Sequence, residues 1–146
     1  MSDRTLLLVE DDPQDELLTL RALKSAGVCN HIDVVRDGQQ ALDYLFCQGE
    51  FSSRSGAVLP AVVLLDIGLP KISGLDVLAR LREHPSTRHV PVVILTSSDE
   101  PIDLVRSYRN GANSFVRKPV QFAEFARTVA RLGVYWMATN EPCRGA

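Results

Sequence analysis

The amino-acid sequence predicts an α/β protein in which a five-stranded parallel sheet carries helices on both faces. Short apolar segments of strand character alternate along the chain with segments whose apolar residues recur at helical spacing. The segment at residues 61–65 is apolar at every position, which is typical of a strand buried between two helix layers. Because alternating strands and helices pair through right-handed crossovers, the strands are expected to run in parallel.

Five strands are predicted, and their signals differ in strength. The first and third are apolar throughout, the second is weaker, the fourth has a proline near its start, and the fifth is short. The predicted strands cover residues 5–9, 31–36, 61–65, 90–95 and 114–116.

A helix follows each predicted strand, and local residues mark where several of them begin and end. The starts are marked by N-cap residues or first-turn prolines at Asp12, Pro13, Asp37, Ser73 and Pro101. Two ends are marked by Gly27 and Gly111, and a third helix stops before Pro85. The last helix is predicted at residues 122–137. Residues 48–59 are rich in Ser and Gly and are expected to form a surface loop before the central strand.

Composition limits the class of protein. At 146 residues, the chain is expected to be one domain, residues 1–146, with residues 138–146 as a tail too short to fold into a DNA-binding domain. A dispersed net charge of −2 gives no reason to expect binding to nucleic acid or to an anionic membrane. No apolar run approaches the roughly 20 residues of a membrane span. The N-terminus has no secretion signal, and three widely spaced cysteines favour reduced thiols, so a cytoplasmic protein is predicted.

Polar residues lie at or just after the ends of four of the five predicted strands. Glu10 and Asp11 follow the first strand, Asp66 the third, Thr96 the fourth, and Lys118 comes shortly after the fifth. Two strand orders are common in such sheets, and the residues alone do not choose between them. In the order 2-1-3-4-5, the first and third strands are neighbours at the switch point, and these side chains converge at the carboxyl edge of the sheet.

This set of residues fits phosphoryl transfer. Carboxylates packed together repel each other unless a pKa rises or a cation lies among them. Oxygen ligands without His or Cys favour a hard ion, Mg²⁺ above all. Lys118 supplies a positive charge of the kind that holds phosphate, and Thr96 supplies a hydroxyl donor. The set therefore predicts that Asp66 is a nucleophile that accepts a phosphoryl group.

Four separated motifs resemble the receiver domain of two-component response regulators. They lie at residues 8–13, 65–74, 95–97 and 116–119, in the order found in that family. The resemblance therefore extends over nearly the whole chain. The long segment before the central strand and the aromatic ending at residues 135–137 look most like the single-domain regulators that serve bacterial and cyanobacterial phytochromes.

The resemblance implies a flavodoxin-like fold of order 2-1-3-4-5 and a switch phosphorylated by a sensor histidine kinase, with a bacteriophytochrome as a candidate. It implies a phosphoacceptor that assists its own phosphorylation and slow dephosphorylation, signals through its own surface, and is not a turnover enzyme. The roles that it implies are Asp66 as phosphoacceptor with Thr96 and Lys118; Glu10, Asp11, Asp66 and the carbonyl of Gly68 as Mg²⁺ ligands; Thr96 and Phe115 as the switch; and Tyr135, Trp136 and Met137 as a homodimer surface. Glu10 stands where the family more commonly has Asp, and Phe115 stands where it frequently has Tyr. Because Phe115 has no hydroxyl, any signal through a tyrosine hydroxyl at that position is lost.

Other functions fit the residues less well. The glycine motifs of dinucleotide-binding domains and P-loop hydrolases are absent. A phosphatase of the haloacid dehalogenase type normally has a second Asp two residues after its nucleophile, and Gly68 occupies that place. A lone Asp at a strand end is more often a helix cap than a nucleophile, so the prediction depends on the whole set. The alternative left open is a receiver-like interaction module that acts without phosphorylation.

Overall fold

The computed structural model describes residues 4–28, 31–54 and 58–143. It contains five parallel strands in the order β2-β1-β3-β4-β5, so the predicted fold class and the order 2-1-3-4-5 are confirmed. The strands are β1 Thr5–Val9, β2 His31–Val35, β3 Val62–Leu65, β4 Val92–Thr96 and β5 Ser114–Arg117. Strand β4 begins two residues later than predicted, because Pro91 has no N–H to donate to the sheet.

In the part of the chain that the structure describes, five α-helices connect and follow the strands. They are α1 Pro13–Ser25, α2 Gly38–Leu45, α3 Gly74–Glu83, α4 Pro101–Arg109 and α5 Phe122–Val134. The side chains of Asp12, Asp37 and Ser73 accept hydrogen bonds from amides in the first turns of α1, α2 and α3, as the sequence predicts for N-caps.

The sheet is buried on both faces, and alternate residues of each strand enter different cores. In β1, Leu7 and Val9 enter the core under α2 and α3, whereas Leu6 and Leu8 enter the core under α1 and α5. These are called the α2/α3 core and the α1/α5 core below. Since both faces are covered, the polar ends of the strands are left at the edge of the sheet.

The segment before the central strand β3 contains a short helix. Residues Gly49–Arg54 form a 3₁₀ helix, and the ring of Phe51 packs edge-on against Tyr44 with 5.4 Å between centroids. The guanidinium of Arg54 lies 3.6 Å from the Tyr44 ring centroid, a cation–π contact. The predicted surface position is correct, but the segment is not irregular throughout. Residues 55–57 lie outside the described part of the chain.

The last helix ends earlier than the predicted residue 137. Helix α5 stops at Val134, and Tyr135–Thr139 form a π-helical turn. Arg4 Nη1 donates to the carbonyls of Met137 at 3.0 Å and Asn140 at 3.2 Å, so the turn is tied to the start of β1. A single π-helical turn of five residues is too short to leave a periodic pattern of its own, which is why the change was not predicted.

Two further expectations can be compared with the structure. Within the described part of the chain, no helix is long and apolar enough to cross a membrane. Cys47 and Cys143 are free thiols, as predicted, whereas Cys29 lies outside the described residues.

Candidate functional site

The strand order places the acids of β1 and β3 side by side. Strands β1 and β3 are neighbours, with Val9 opposite Leu65, so Glu10 and Asp66 leave the sheet at the same level. The amide of Asp66 donates to the carbonyl of Val9 at 3.2 Å, which extends the pairing to the point where the acids begin. The predicted convergence follows from this register.

Three carboxylates form a cluster with the geometry of a cation site. Glu10, Asp11 and Asp66 each offer an oxygen, and these oxygens all lie within 4.8 Å of one another. Glu10 is only 3% exposed, whereas Asp11 faces solvent. Burial raises the pKa of the Glu10 carboxyl, and Lys118 opposes that rise. A donor set made only of carboxylate oxygens, with one member open to solvent, fits a hard divalent cation.

Lys118 is the positively charged side chain at the centre of the site. Its Nζ donates to Glu10 Oε1 at 2.6 Å, to Asp15 Oδ2 at 2.8 Å and to Asp66 Oδ2 at 2.8 Å. The side chain is 6% exposed. Burial by itself lowers the pKa of the Lys118 ammonium, but the three carboxylates together outweigh it and raise that pKa above its ordinary value. Lys118 therefore stays charged and offsets part of the acids' mutual repulsion.

Both oxygens of Asp66 are held in place. Oδ1 accepts from the Thr96 hydroxyl at 2.9 Å and from the Gly68 amide at 3.2 Å, while Oδ2 accepts from Lys118. Thr96 is 2% exposed, and its hydroxyl also accepts from the Ser98 amide at 3.3 Å. The side chain of Asp66 is 12% exposed and lines an open cavity of about 370 Å³. Asp66 is thus fixed in orientation and still reachable from solvent.

The predicted residues Glu10, Asp11, Asp66, Gly68, Thr96 and Lys118 all line this cavity. The cavity has further lining residues that were not predicted as members of the site, among them Asp15, Ser98 and Asp103. Asp15 lies in the first turn of α1, where an acid is expected for helix stability alone, so its position does not by itself indicate a site residue. Ser98 Oγ donates to Asp103 Oδ2 at 2.6 Å, and only the fold brings this pair to the site.

The remaining predicted residues lie away from the cavity. Phe115 is on β5 opposite Ile94 and packs, partly buried, against the α2/α3 core. Tyr135 is 48% exposed, and its ring meets Trp136 edge-on at 5.0 Å. Met137 is 2% exposed within the α1/α5 core. Its side chain is therefore used inside this chain and is not available to a dimer surface.

Comparisons with known proteins agree with this geometry. The family model described as the response regulator receiver domain matches residues 6–130. The probable methanogenesis regulatory protein FilR2 of Methanothrix harundinacea is 40% identical over 135 residues, which are 92% of this chain and 84% of FilR2. Response regulator Rcp1 of Synechocystis is 32% identical over 136 residues, which are 93% of this chain and 90% of Rcp1.

Solved structures give the same result. The bacteriophytochrome response regulator AtBRR is 50% identical with a TM-score of 0.76, covering 97% of this chain and 100% of AtBRR. The phosphorylated cyanobacterial phytochrome response regulator RcpA is 31% identical with a TM-score of 0.88, covering 96% and 98%. The Mn²⁺-bound form of Rcp1 is also 31% identical with a TM-score of 0.88, covering 96% and 99%.

Proposed function

Since this chain belongs to the response regulator receiver domain family, whose members are phosphorylation-dependent signalling switches, we propose that Asp66 is its phosphoacceptor and a histidine kinase its donor. One observation carries the proposal. Thr96 and Lys118 hold different oxygens of Asp66 while that carboxylate faces an open cavity lined by further acids, Glu10 and Asp11 among them. Structural acids that only cap helices need no such arrangement.

The chemistry follows from these contacts. A carboxylate oxygen of Asp66 attacks the phosphorus of a phosphohistidine in line, the P–N bond breaks, and the imidazole leaves with that electron pair. Lys118 offsets negative charge on the transferred group, and the Thr96 hydroxyl is placed to donate to one of its oxygens. Gly68 stands two residues after Asp66 and offers no general base, so we propose that the acyl phosphate is hydrolysed slowly.

We propose Mg²⁺ as the cation of the site, held by Glu10, Asp11, Asp66 and the carbonyl of Gly68. The carboxylate cluster supports a divalent ion at this place, and the relative Rcp1 has a Mn²⁺-bound form. When bound, such an ion screens the negative charge of the phosphoryl group and orients its oxygens. The ordinary preference of carboxylate oxygens for hard ions favours Mg²⁺ in particular.

We propose that the phosphoryl group acts by biasing a two-state equilibrium. In the structure, the Thr96 hydroxyl is bonded to Asp66 Oδ1. If it turns to a phosphoryl oxygen, it vacates space that Phe115 can fill, and the outer surface of α4, β5 and α5 changes. A structure with a phosphate mimic in which Thr96 and Phe115 keep their present positions contradicts this route.

Incubation with Mg²⁺ and acetyl phosphate, followed by intact-mass measurement, tests the phosphoacceptor. We expect wild type to gain the mass of one phosphoryl group and Asp66→Asn to gain none. Asp11→Asn serves as a second arm, since it leaves the acceptor intact and removes a cation ligand, and it should gain the group more slowly. A wild type that gains no phosphoryl group from acetyl phosphate or from any kinase favours the interaction module that acts without phosphorylation.

The partners of the switch are proposed from the named relatives. RcpA and AtBRR are phytochrome response regulators by name, which supports a phytochrome kinase as the donor. We propose that the switch acts in the cytoplasm. FilR2 carries the name of a different process, so phosphotransfer profiling against the host's histidine kinases is the deciding measurement. We also propose a homodimer through the end of α5, supported by the exposed ring of Tyr135 beside Trp136.

A further inference from the structure

Asp15 contacts the site through Lys118 alone. It is in the first turn of α1, 103 residues before Lys118 in the chain, and its Oδ2 accepts from Lys118 Nζ at 2.8 Å. Its side chain is 28% exposed, so it lies at the mouth of the cavity and not in the core. It is not one of the three carboxylates whose oxygens cluster within 4.8 Å.

Lys118 has three carboxylate partners, and Asp15 differs from the other two. An ammonium has three N–H donors, and here each has one carboxylate acceptor: Glu10, Asp15 and Asp66. Glu10 and Asp66 belong to the cation cluster, and Asp66 is also the proposed phosphoacceptor. When a cation binds, Glu10 and Asp66 share their oxygens between Lys118 and the cation. Asp15 is then the one partner of Lys118 whose oxygens are not needed elsewhere.

We propose that Asp15 is a positioning residue that keeps Lys118 inside the site while Glu10 and Asp66 share their oxygens with the cation and the phosphoryl group. This inference rests on the proposed function of the site. A buried ammonium whose other two carboxylate partners are shared in this way is costly unless a third partner remains. Asp15 supplies that partner from a different helix, so Lys118 stays within reach of the incoming phosphoryl oxygens.

Two effects follow if Asp15 is removed. Cation binding then leaves Lys118 without a carboxylate of its own, so part of the binding free energy is lost and Mg²⁺ binds less tightly. Changes in residues that orient metal-site groups typically cost about tenfold or more in affinity, and we expect about tenfold here. Lys118 is also expected to leave the cavity in the cation-bound state, where it meets solvent.

Titration calorimetry with Mg²⁺ on the unphosphorylated protein tests the first effect. We expect Asp15→Asn to raise the Mg²⁺ dissociation constant about tenfold, and Asp15→Glu to recover most of the loss because its carboxylate can still reach Lys118. Glu16→Gln is the matched control. It removes the same charge from the next residue of α1, whose carboxylate pairs with Arg36 and not with Lys118. Equal losses in Asp15→Asn and Glu16→Gln overturn the proposal, since they indicate only a change of overall charge.

Amine-reactive labelling read by peptide mass spectrometry tests the second effect. The side chain of Lys71 is 67% exposed and serves as an internal reference within the same molecule. We expect Lys118 of wild type to stay protected with and without Mg²⁺, and Lys118 of Asp15→Asn to become reactive on addition of Mg²⁺. Protection that is unchanged in Asp15→Asn overturns the proposal.

The outcome for Asp15 is separable from that for the proposed function. If wild type binds Mg²⁺ but takes no phosphoryl group, the phosphoacceptor role of Asp66 fails, while the affinities and the labelling still decide the role of Asp15. If wild type is phosphorylated and Asp15→Asn matches it in both measurements, only the role of Asp15 fails.

Discussion

At the scale of single residues, the site depends on the balance between one lysine and the acids around it. Lys118 is 6% exposed and has three carboxylate partners, one of which, Glu10, is almost fully buried. Desolvation makes each of these charges costly, and their mutual contacts offset that cost. In the absence of a divalent cation, Lys118 therefore contributes to stability as well as to the proposed chemistry.

Replacement of Lys118 by Met should destabilise the cation-free protein strongly. The variant leaves Glu10, Asp15 and Asp66 without their common partner, and breaking a buried ion pair by removing one member costs about 3 kcal/mol. Mg²⁺ should restore much of this loss, because a divalent ion can replace the missing positive charge. Urea unfolding with and without Mg²⁺ measures both quantities.

The control for this variant is Lys24→Met, which removes an exposed lysine from the last turn of α1 and should change the unfolding free energy by less than about 0.5 kcal/mol. A Lys118→Met protein that is as stable as wild type without Mg²⁺ contradicts the prediction.

At the scale of elements, α4 is the α-helix with the fewest buried residues. Within the described residues, Ser107 is its one buried member, while Ile102, Val105 and Tyr108 are each at least 43% exposed. Its first turn is linked to the site by a short path, in which Thr96 accepts from the Ser98 amide and Ser98 Oγ donates to Asp103. Movement of Thr96 can therefore displace the first turn of α4 through these two hydrogen bonds.

Replacement of Asp103 by Ala should loosen the first turns of α4. The loss of one side-chain hydrogen bond costs about 1 kcal/mol, so amide hydrogen exchange in α4 should rise several-fold to tenfold while exchange in the sheet is unchanged. Glu100→Ala is the control, since Glu100 is an acid at the same helix end that makes no capping hydrogen bond. Equal exchange in the two variants contradicts the prediction.

Helix α4 also shows where sequence patterns are weakest. Its apolar residues recur at helical spacing and predict the helix correctly, but the fold leaves most of them exposed, because β5 is an edge strand and offers α4 little surface. The 3₁₀ helix Gly49–Arg54 was not predicted, since contacts of Phe51 and Arg54 with Tyr44 stabilise it and these depend on the fold. Of the strands buried on both faces, β1 and β3 were predicted to within one residue and β4 to within two, because nearly every position in such a strand must be apolar.

At the scale of the whole molecule, the strand order converts a scattered set of residues into a site. Glu10, Asp66, Thr96 and Lys118 were predicted from strand ends, since parallel strands present their carboxyl ends at one edge. Asp15 was not, because its place in α1 has a sufficient explanation in helix stability. The surface has one further feature at this scale. Three aromatic rings are among the exposed large side chains of the described residues: Tyr108 on α4, Phe122 at the start of α5 and Tyr135 after α5.

A comparison of two tyrosine variants should locate the proposed dimer surface. We expect wild type to sediment as a dimer at micromolar concentration and Tyr135→Ala to shift toward monomer, because a half-exposed aromatic ring in an interface often contributes about 2 kcal/mol. Tyr108→Ala removes a ring of similar exposure from α4 and should sediment as wild type. Dissociation by Tyr108→Ala alone places the interface on α4 instead.

The separation of Lys118 from Glu10, 108 residues along the chain, has a consequence for biosynthesis. The ribosome makes β1 first and β5 last among the strands, and β5 joins the sheet only at its outer edge. A nascent chain thus carries its acids early but lacks their counter-charge until the final strand docks. An unfinished chain therefore cannot yet be phosphorylated at Asp66, and any fragment that ends before Lys118 should not accept a phosphoryl group from a kinase.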